Sequence, residues 1–324
     1  MNILVTGGAG YIGSHMCKRL AEHGHRIAVI DDLSTGHEQA VRWGEFHRGD
    51  VGDGEFLDRV FERFRPEAVL HFAAKSIVAE SVADPALYYR TNVAGSLHLI
   101  ERVRKTPGCV FVLSSTAAIF GRPQAERIDE THPCAPINAY GRSKLMVENI
   151  LAEYWAAYRL PSVSLRYFNA AGADASGAIG EAHTPETHLI PRILEAALGR
   201  AEPVRVFGAD YDTRDGTCIR DYIHVDDLCQ AHLDGLEYLR AHPGCHAFNL
   251  GNGRGFTVRE VLDAATRVVG RRLAYQIGER RPGDPAMLVA DAARAQQILH
   301  WRPAHPQLET LIESAWRWHR QRAF

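Results

Sequence analysis

Tyr140 and Lys144, in the run Tyr140-Gly141-Arg142-Ser143-Lys144, stand four positions apart. A helix there puts the phenol and the ammonium on one face. A free tyrosine has a pKa of about 10 and is a poor base at neutral pH, but a nearby cation favours the phenolate. The same spacing also serves as an ordinary surface contact. Lysine usage adds weight to the chemical reading: only four of the 37 basic residues are lysines (Lys18, Lys75, Lys105 and Lys144). Where any cation serves, this chain uses arginine, so a surviving lysine suits a task needing a compact ammonium. Ser114-Ser115-Thr116 places hydroxyls at the end of the apolar run 109–113. Such hydroxyls can bond a substrate oxygen and share its proton with Tyr140, or can cap a following helix.

A second constellation lies at the start of the chain. Gly7, Gly10 and Gly13 punctuate Gly7-Gly8-Ala9-Gly10-Tyr11-Ile12-Gly13, directly after an apolar run. Glycines at that spacing let the backbone turn sharply and approach a pyrophosphate at a helix N-terminus. Asp31 ends the next apolar run, 18 positions past Gly13, where a carboxylate can hold ribose hydroxyls. Asp32 follows it, and no Arg or Lys stands between Asp32 and Arg42 to balance a 2′-phosphate. The expected cofactor is NAD rather than NADP. Asp50 and Val51 could flank the adenine, or Asp50 could cap the helix that follows.

These residues need a scaffold, and the first half of the chain supplies alternating elements. Strands are expected at residues 2–6, 26–30, 46–48, 68–72, 109–113 and 162–166, and helices at 11–23, 54–64, 85–104 and 138–158. Strand–helix alternation implies βαβ units, an α/β fold with a doubly wound (Rossmann) parallel sheet covered on both faces. The continuous apolar character of 68–72 and 109–113 fits strands buried on both sides. After residue 170 the pattern becomes irregular: a loop at 171–180, a helix near 190–198, turns near 208–216 and a helix near 257–269. The expected division is a nucleotide-binding domain at 1–170, with a segment returning around 221–250, and a smaller mixed α/β substrate-binding domain at 171–324.

Composition removes other classes. The net charge is -2, so the basic footprint of a nucleic-acid protein is missing, and no nucleic-acid partner is expected. The six cysteines are scattered without a CxxC pair and are expected to be reduced thiols. Seventeen histidines show no HExxH or CxxC…HxxxH spacing, so no metal is expected. No apolar run approaches the roughly 18 residues of a membrane span. Ile3-Leu4-Val5 is interrupted at once by Thr6 and glycines, which does not read as a signal peptide. No membrane partner and a cytoplasmic location are expected.

Over nearly its whole length the chain resembles the extended short-chain dehydrogenase/reductase family, and within it the sugar-nucleotide 4-epimerases. Residues 6–14 (TGGAGYIGS), 71–75 (HFAAK) and 92–95 (NVAG) carry the general resemblance, with 113–121 (LSSTAAIFG) and 140–144 (YGRSK). Residues 166–172 (RYFNAAG), 215–228 (DGTCIRDYIHVDDL) and 280–284 (RRPGD) narrow it to the epimerases. The resemblance implies that Tyr140 is the catalytic base, Lys144 its activator and Thr116 the hydroxyl partner. It implies NAD contacts from Gly7, Gly10, Tyr11, Ile12, Gly13, Asp31, Asp32, Leu33, Ser34, Thr35 and Gly36. Further NAD contacts are implied for Asp50, Val51, Phe72, Ala73, Ala74, Lys75, Asn92, Ser114, Tyr140, Lys144 and Phe168. For the UDP-sugar it implies Lys75, Thr116, Tyr140, Asn169, His188, Leu189, Arg205, Val206, Phe207, Arg220 and Tyr222. The stretch from Arg281 to Asp284, with Pro282 and Gly283 between them, joins that set. Arginine suits a diphosphate clamp, although Arg220 and Arg281 could be surface charges. Lys75 could meet a phosphate or simply be solvated. The chain departs from the family pattern with Thr116 where many members have Ser, and with Phe120 at a frequent tyrosine position, where packing is expected.

The activity implied by the resemblance is reversible epimerisation at C4 of a UDP-hexose (UDP-galactose or UDP-glucose) through a 4-keto sugar, with NAD retained through each cycle. A 4,6-dehydratase would carry an Asp-Glu pair after the catalytic Thr, and here Ala117-Ala118 follows Thr116. Epimerases of UDP-N-acetylhexosamines, UDP-pentoses or UDP-hexuronates share the same motifs, and a catalytically silent NAD-binding regulator is opposed by the intact Thr116, Tyr140 and Lys144. Leu288 falls where a tyrosine in some members narrows the sugar pocket, so a wider pocket is implied; alternatively Leu288 is a core residue and Met287 fills the space. A homodimer through the helices at 85–104 and 138–158 is also implied, unless their apolar faces pack within one subunit.

Overall fold

A seven-stranded parallel sheet forms the centre of the computed structural model, which describes residues 1–281, 284–322 and 324. Its strands are β1 (Asn2–Thr6), β2 (Arg26–Asp31), β3 (Glu45–Arg48), β4 (Ala68–His71), β5 (Val110–Thr116), β6 (Ser162–Tyr167) and, after a long excursion, β11 (Cys245–Leu250). The strand order is β11-β6-β5-β4-β1-β2-β3, a doubly wound sheet. The helices before the excursion are α1 (Tyr11–Glu22), α2 (Gly54–Phe64), α3 (Val78–Ala83), α4 (Pro85–Tyr88), α5 (Ser96–Lys105) and α6 (Ala139–Tyr158).

Strand alternation distributes the apolar side chains to two cores. Ile3, Val5, Val110, Val112 and Leu165 point to one face, packing with Met16 and Leu20 of α1. Leu4, Val69, Phe111 and Leu113 point to the other, against Leu57 of α2, Leu99 of α5 and Val147 of α6. All seven residues of β5 are buried, as a central strand covered on both faces requires. Fully burying each Phe or Leu contributes about 1.5–3 kcal/mol.

The expected helix at 85–104 is instead three pieces. A π-helical turn at Tyr89–Gly95 joins α4 to α5. The Asn92 side chain explains it: its amide donates to the Lys75 carbonyl (2.9 Å) and to Ser143 Oγ (3.0 Å), and its oxygen accepts from Lys75 N (2.8 Å). The widened turn aims Asn92 at the loop after β4, a constraint that helical periodicity cannot reveal. Asn138 lies just outside α6, capping it through a 2.8 Å bond from Gly141 N.

The excursion builds smaller sheets. These contain β7 (Asn169–Ala171), β8 (Val204–Phe207), β9 (Ile219–Arg220), β10 (Tyr222–His224), β12 (Phe256–Thr257), β13 (Tyr275–Gly278) and β14 (Met287–Leu288). The helices among and after them are α7 (Leu189–Ala197), α8 (Val225–Ala241), α9 (Val258–Val269), α10 (Ala293–Ile298) and α11 (Leu308–Gln321). α7, α9 and α11 enclose a third core around Leu194, Val261 and Leu311. Cys17, Cys109, Cys218 and Cys229 are buried thiols, whereas Cys134 and Cys245 are exposed. Among the described residues no helix is long and apolar enough to cross a membrane.

A buried ion pair fixes α6 to the sheet. Glu148 accepts from Arg166 Nε (3.1 Å to each oxygen) and Nη2 (2.5 Å), and from Ser115 Oγ (2.5 Å). The two side chains are only 8% and 11% exposed. Removing one partner would leave the other charge buried alone, a loss of about 3–5 kcal/mol. Glu148→Leu should therefore lower the free energy of unfolding by roughly that amount, measured by the shift in urea midpoint.

Candidate functional site

β1 and β4 are neighbours, yet the chain leaves them toward opposite faces of the sheet, and a cavity of about 1060 Å³ opens beside their C-terminal ends. Thr6 and His71 end those strands in register, and Thr6 Oγ1 meets His71 Nδ1 at 2.6 Å. His71 Nε2 pairs with Ser96 Oγ (2.8 Å), which pins α5 to the same point. Burial, assisted by the charge of Lys144, pushes His71 down to about 3, so its ring is neutral at physiological pH.

The glycine loop forms one wall. Gly7 has φ +76°, and a Cβ there would lie 2.5 Å from Ala73 N; a Cβ on Gly13 would run into the Gly7 carbonyl oxygen. Gly10 is the extended residue before α1, with no capping side chain and no acidic residue in the helix's first turn. The free N–H groups and positive end of α1 are thus left to a ligand, a cradle that fits a pyrophosphate. Asp31, 8% exposed, accepts from Ala9 N (3.0 Å) and Leu33 N (2.8 Å). Burial raises its pKa, and those two N–H groups oppose the rise. Asp31 therefore fastens the glycine loop as well as facing the cavity.

Tyr11, Ile12, Asp32, Ser34, Thr35, Asp50 and Val51 also line this end. Asp50 caps no helix: it accepts from Gly52 N, and Asp53 caps α2. Leu33 and Gly36 do not reach the wall; Leu33 turns the chain at φ +62°, and Gly36 packs on Ala9. Phe72, Ala73, Ala74 and Lys75 continue the lining, and Lys75 Nζ donates to Ser34 Oγ (3.2 Å). Asn92 stands behind them as the support of Lys75.

Tyr140, Lys144, Ser114 and Thr116 share the middle of the cavity. Burial raises the Tyr140 phenol, and the Thr116 hydroxyl is the partner that opposes the rise. Thr116 also caps the short turn after β5, so the cap and the contact with the Tyr140 phenol coexist. Lys144 is 4% exposed and donates to the Ser114 carbonyl at 2.9 Å. Burial brings its ammonium down to about 8, against the pull of Glu148. In the chain alone Tyr140 is a neutral phenol.

The far end holds Phe168, Asn169, His188, Leu288, Arg281 and Asp284. Asn169 donates to the Asp221 carbonyl (2.8 Å). Arg220 lies behind this wall: its guanidinium bonds Asp284 and the Pro285 carbonyl (3.0 Å), so it is no loose surface charge. Arg281 stacks 3.9 Å from the Phe207 ring centroid. Arg205, Val206, Phe207, Tyr222 and Leu189 are not part of the wall; Val206 and Tyr222 are core residues, and Leu189 packs on that core at the start of α7. Pro282 and Gly283 lie outside the described residues. Phe120 is fully buried beneath Arg166, in the packing role expected of it.

Tyr167, Glu181 and His183 also line the cavity and were not among the expected site residues, although Tyr167 stands within the 166–172 motif. Tyr167 OH meets Ser114 Oγ at 2.6 Å. Glu181 and His183 had a visible signal in Glu181-Ala182-His183-Thr184-Pro185-Glu186-Thr187-His188, two acids and two imidazoles in alternation. Glu181 Oε1 lies 3.0 Å from His183 Nδ1 and 2.5 Å from His188 Nδ1. Burial opposes their charges, but the mutual attraction wins, holding Glu181 low and His188 high.

The sequence pattern of the NAD dependent epimerase/dehydratase family matches residues 3–251. A UDP-glucose 4-epimerase of Rhizobium meliloti (strain 1021) is 51% identical, with 99% of this chain and 98% of that protein covered. A crystal structure of UDP-glucose 4-epimerase from Brucella ovis in complex with NAD superposes with TM-score 0.95 at 49% identity, over 97% of each chain. A structure of UDP-glucose-4-epimerase from Stenotrophomonas maltophila, with bound NAD and formylated UDP-arabinopyranose, gives TM-score 0.95 at 38% identity, over 99% of this chain and 98% of that one.

The burial of Lys144 makes a testable statement about pH. Its folded pKa of about 8 lies below the ordinary 10.5, so the penalty of burying its charge is complete below pH 8. Between those values the folded chain holds fewer protons than the unfolded one, and stability rises with pH. Wild type should gain stability relative to Lys144→Met as pH rises from 8 to 10.5, measured by urea unfolding of both proteins across that window.

Proposed function

The chain belongs to the NAD dependent epimerase/dehydratase family, and on that premise we propose that it reversibly epimerises C4 of a UDP-hexose, interconverting UDP-galactose and UDP-glucose through a 4-keto sugar. The observation that carries this reading is one cavity holding the glycine cradle, the Thr116–Tyr140–Lys144 group and the Asn169–Leu288–Arg281 end together.

NAD fits the uncapped start of α1, where Gly7, Gly10 and Gly13 leave room for phosphates and Asp31 faces the cavity. When bound it supplies hydride exchange at C4 and a positive ring that favours the Tyr140 phenolate. Tyr140 takes the proton of the 4-hydroxyl, and Thr116 orients that oxygen and holds it as the carbonyl forms. Lys144, fixed by the Ser114 carbonyl, keeps a cation beneath the phenol through the cycle. Arg281 secures the diphosphate end while the sugar turns over, and Asp284, paired with Arg220, holds that part of the wall in place. Binding energy concentrated on the nucleotide leaves the sugar free to present either face. Dehydration is disfavoured, because Ala117 and Ala118 line the cavity where an Asp-Glu pair would have to stand.

The proposed division of labour gives NAD to residues 1–170 with the returning segment 221–250, and the UDP-sugar to residues 171–324. We place the enzyme in the cytoplasm and in galactose metabolism, as a homodimer through the helical stretch 85–104 and α6. Exposed Met146 and Tyr158 on α6 support that pairing.

An N-acetylhexosamine substrate is the second reading, and Leu288 favours it. Leu288 lines the cavity and also packs with Phe120 and Phe168. Leucine lacks the reach and the hydroxyl of tyrosine, so space remains beside C2 of the sugar.

Two outcomes test these assignments. The purified protein should carry NAD without any added, and Tyr140→Phe should keep it while losing ~10²–10⁴-fold in turnover of UDP-galactose; near-normal turnover would remove Tyr140 from its role. UDP-N-acetylglucosamine should be epimerised alongside UDP-glucose, and Leu288→Tyr should suppress only the former in a coupled assay.

A further inference from the structure

The segment between β7 and α7 carries a cluster of four side chains, of which only His188 has a place in the reading of the C4 chemistry. One ligand atom from each of Glu181, His183, Glu186 and His188 lies within 4.8 Å of all the others. We propose that these four side chains form a closed site for one divalent transition-metal ion of the zinc class, which fixes residues 181–188 against the cavity wall.

The donor set chooses the ion. Two imidazoles suit zinc and its neighbours, whereas magnesium and calcium take all-oxygen shells. Zinc bonds of about 2.0–2.2 Å put adjacent tetrahedral ligands roughly 3.4 Å apart. The observed pairs bracket that spacing. His188 Nδ1 is 2.5 Å from Glu181 and 3.3 Å from Glu186, while His183 Nδ1 is 3.0 Å from Glu181 and 3.9 Å from Glu186. Small rotations about side-chain χ angles would bring all four onto one centre.

Charge points the same way. Both carboxylates are 5% exposed, and in the chain alone the charged His188 ring compensates them in part, so a divalent ion would take the place of that ring's proton. A divalent ion with two carboxylates and two neutral imidazoles sums to zero.

The surrounding shell is built to hold these ligands. Trp318 Nε1 donates to the Glu181 carbonyl (2.8 Å), and His37 Nε2 meets the Ala182 carbonyl (2.7 Å). Glu186 Oε1 accepts from the backbone of Thr187 (2.7 Å) and His188 (2.8 Å). The His183 ring stands edge-on to Tyr11, at the start of α1. Such outer partners orient metal ligands. With all four positions taken by protein, the ion's task is structural rather than chemical. The missing HExxH and CxxC spacings are no obstacle, because the ligands follow a Glu-x-His-x-x-Glu-x-His pattern on an irregular loop.

The test is metal binding by the full-length protein, so it stands whether or not the sugar assignment does. Chelator-stripped protein is titrated calorimetrically with Zn2+ and, separately, with Co2+ while visible absorption is followed. Expected are one ion per chain, the intense bands of tetrahedral Co2+, and a higher Tm with Zn2+. His183→Ala and the milder Glu186→Gln should each weaken Zn2+ binding by more than ~10-fold. His242→Ala, in the separate Tyr238–His242 stack, should leave it unchanged. Absence of stoichiometric binding by wild type, or affinity untouched in both site variants, overturns the proposal.

Discussion

The reversal of winding between β1 and β4 is the constraint on which the site depends. Two adjacent parallel strands send their continuations to opposite faces, so a crevice opens beyond their ends. Thr6, His71 and Ser96 lock that point with a buried chain of hydrogen bonds, and a neutral His71 keeps the lock free of charge. The glycine loop leaves β1 and the Lys75 loop leaves β4, meeting where Gly7 comes so close to Ala73 that no Cβ fits.

Around that opening the protein buries polar groups that would be more comfortable in water. Lys144 loses much of its preference for the charged state, and Asp31 is kept usable only by two backbone N–H groups. Such perturbed groups in a cleft are the mark of a functional site. Their cost is offset by order elsewhere. Glu148 stands one helical turn beyond Lys144 and is tied to Arg166 and Ser115, so α6 cannot rotate the Tyr140–Lys144 face away from β5.

The excursion after β6 completes the cavity through contacts distant in sequence. The Tyr11 hydroxyl donates to the Gly172 carbonyl at 2.7 Å, and Lys18 pairs with Asp174. The segment 181–188 is thereby held beside the glycine loop, and the β9–β14 pairing brings Leu288 and Arg220 to the far end.

Much was legible in the chain itself, because it depends on local rules. The short apolar runs marked β1 to β6, the glycine spacing marked the tight turn into the uncapped start of α1, and the Tyr140–Lys144 interval marked one helical face. Each is a relation between residues a few positions apart, and backbone sterics alone translate it into shape. Tertiary structure decided the rest. It opened a π-helical turn where periodicity predicted plain helix, because Asn92 had to reach the Lys75 loop. It set Arg205, Val206, Phe207, Arg220 and Tyr222 behind the wall and brought Tyr167, Glu181 and His183 onto it. It placed the Lys144 ammonium on the Ser114 carbonyl and gave Thr116 the contact with the phenol. Which face of a short strand or irregular loop meets the cavity is set by pairing between segments far apart in the chain, and no local spacing carries that information.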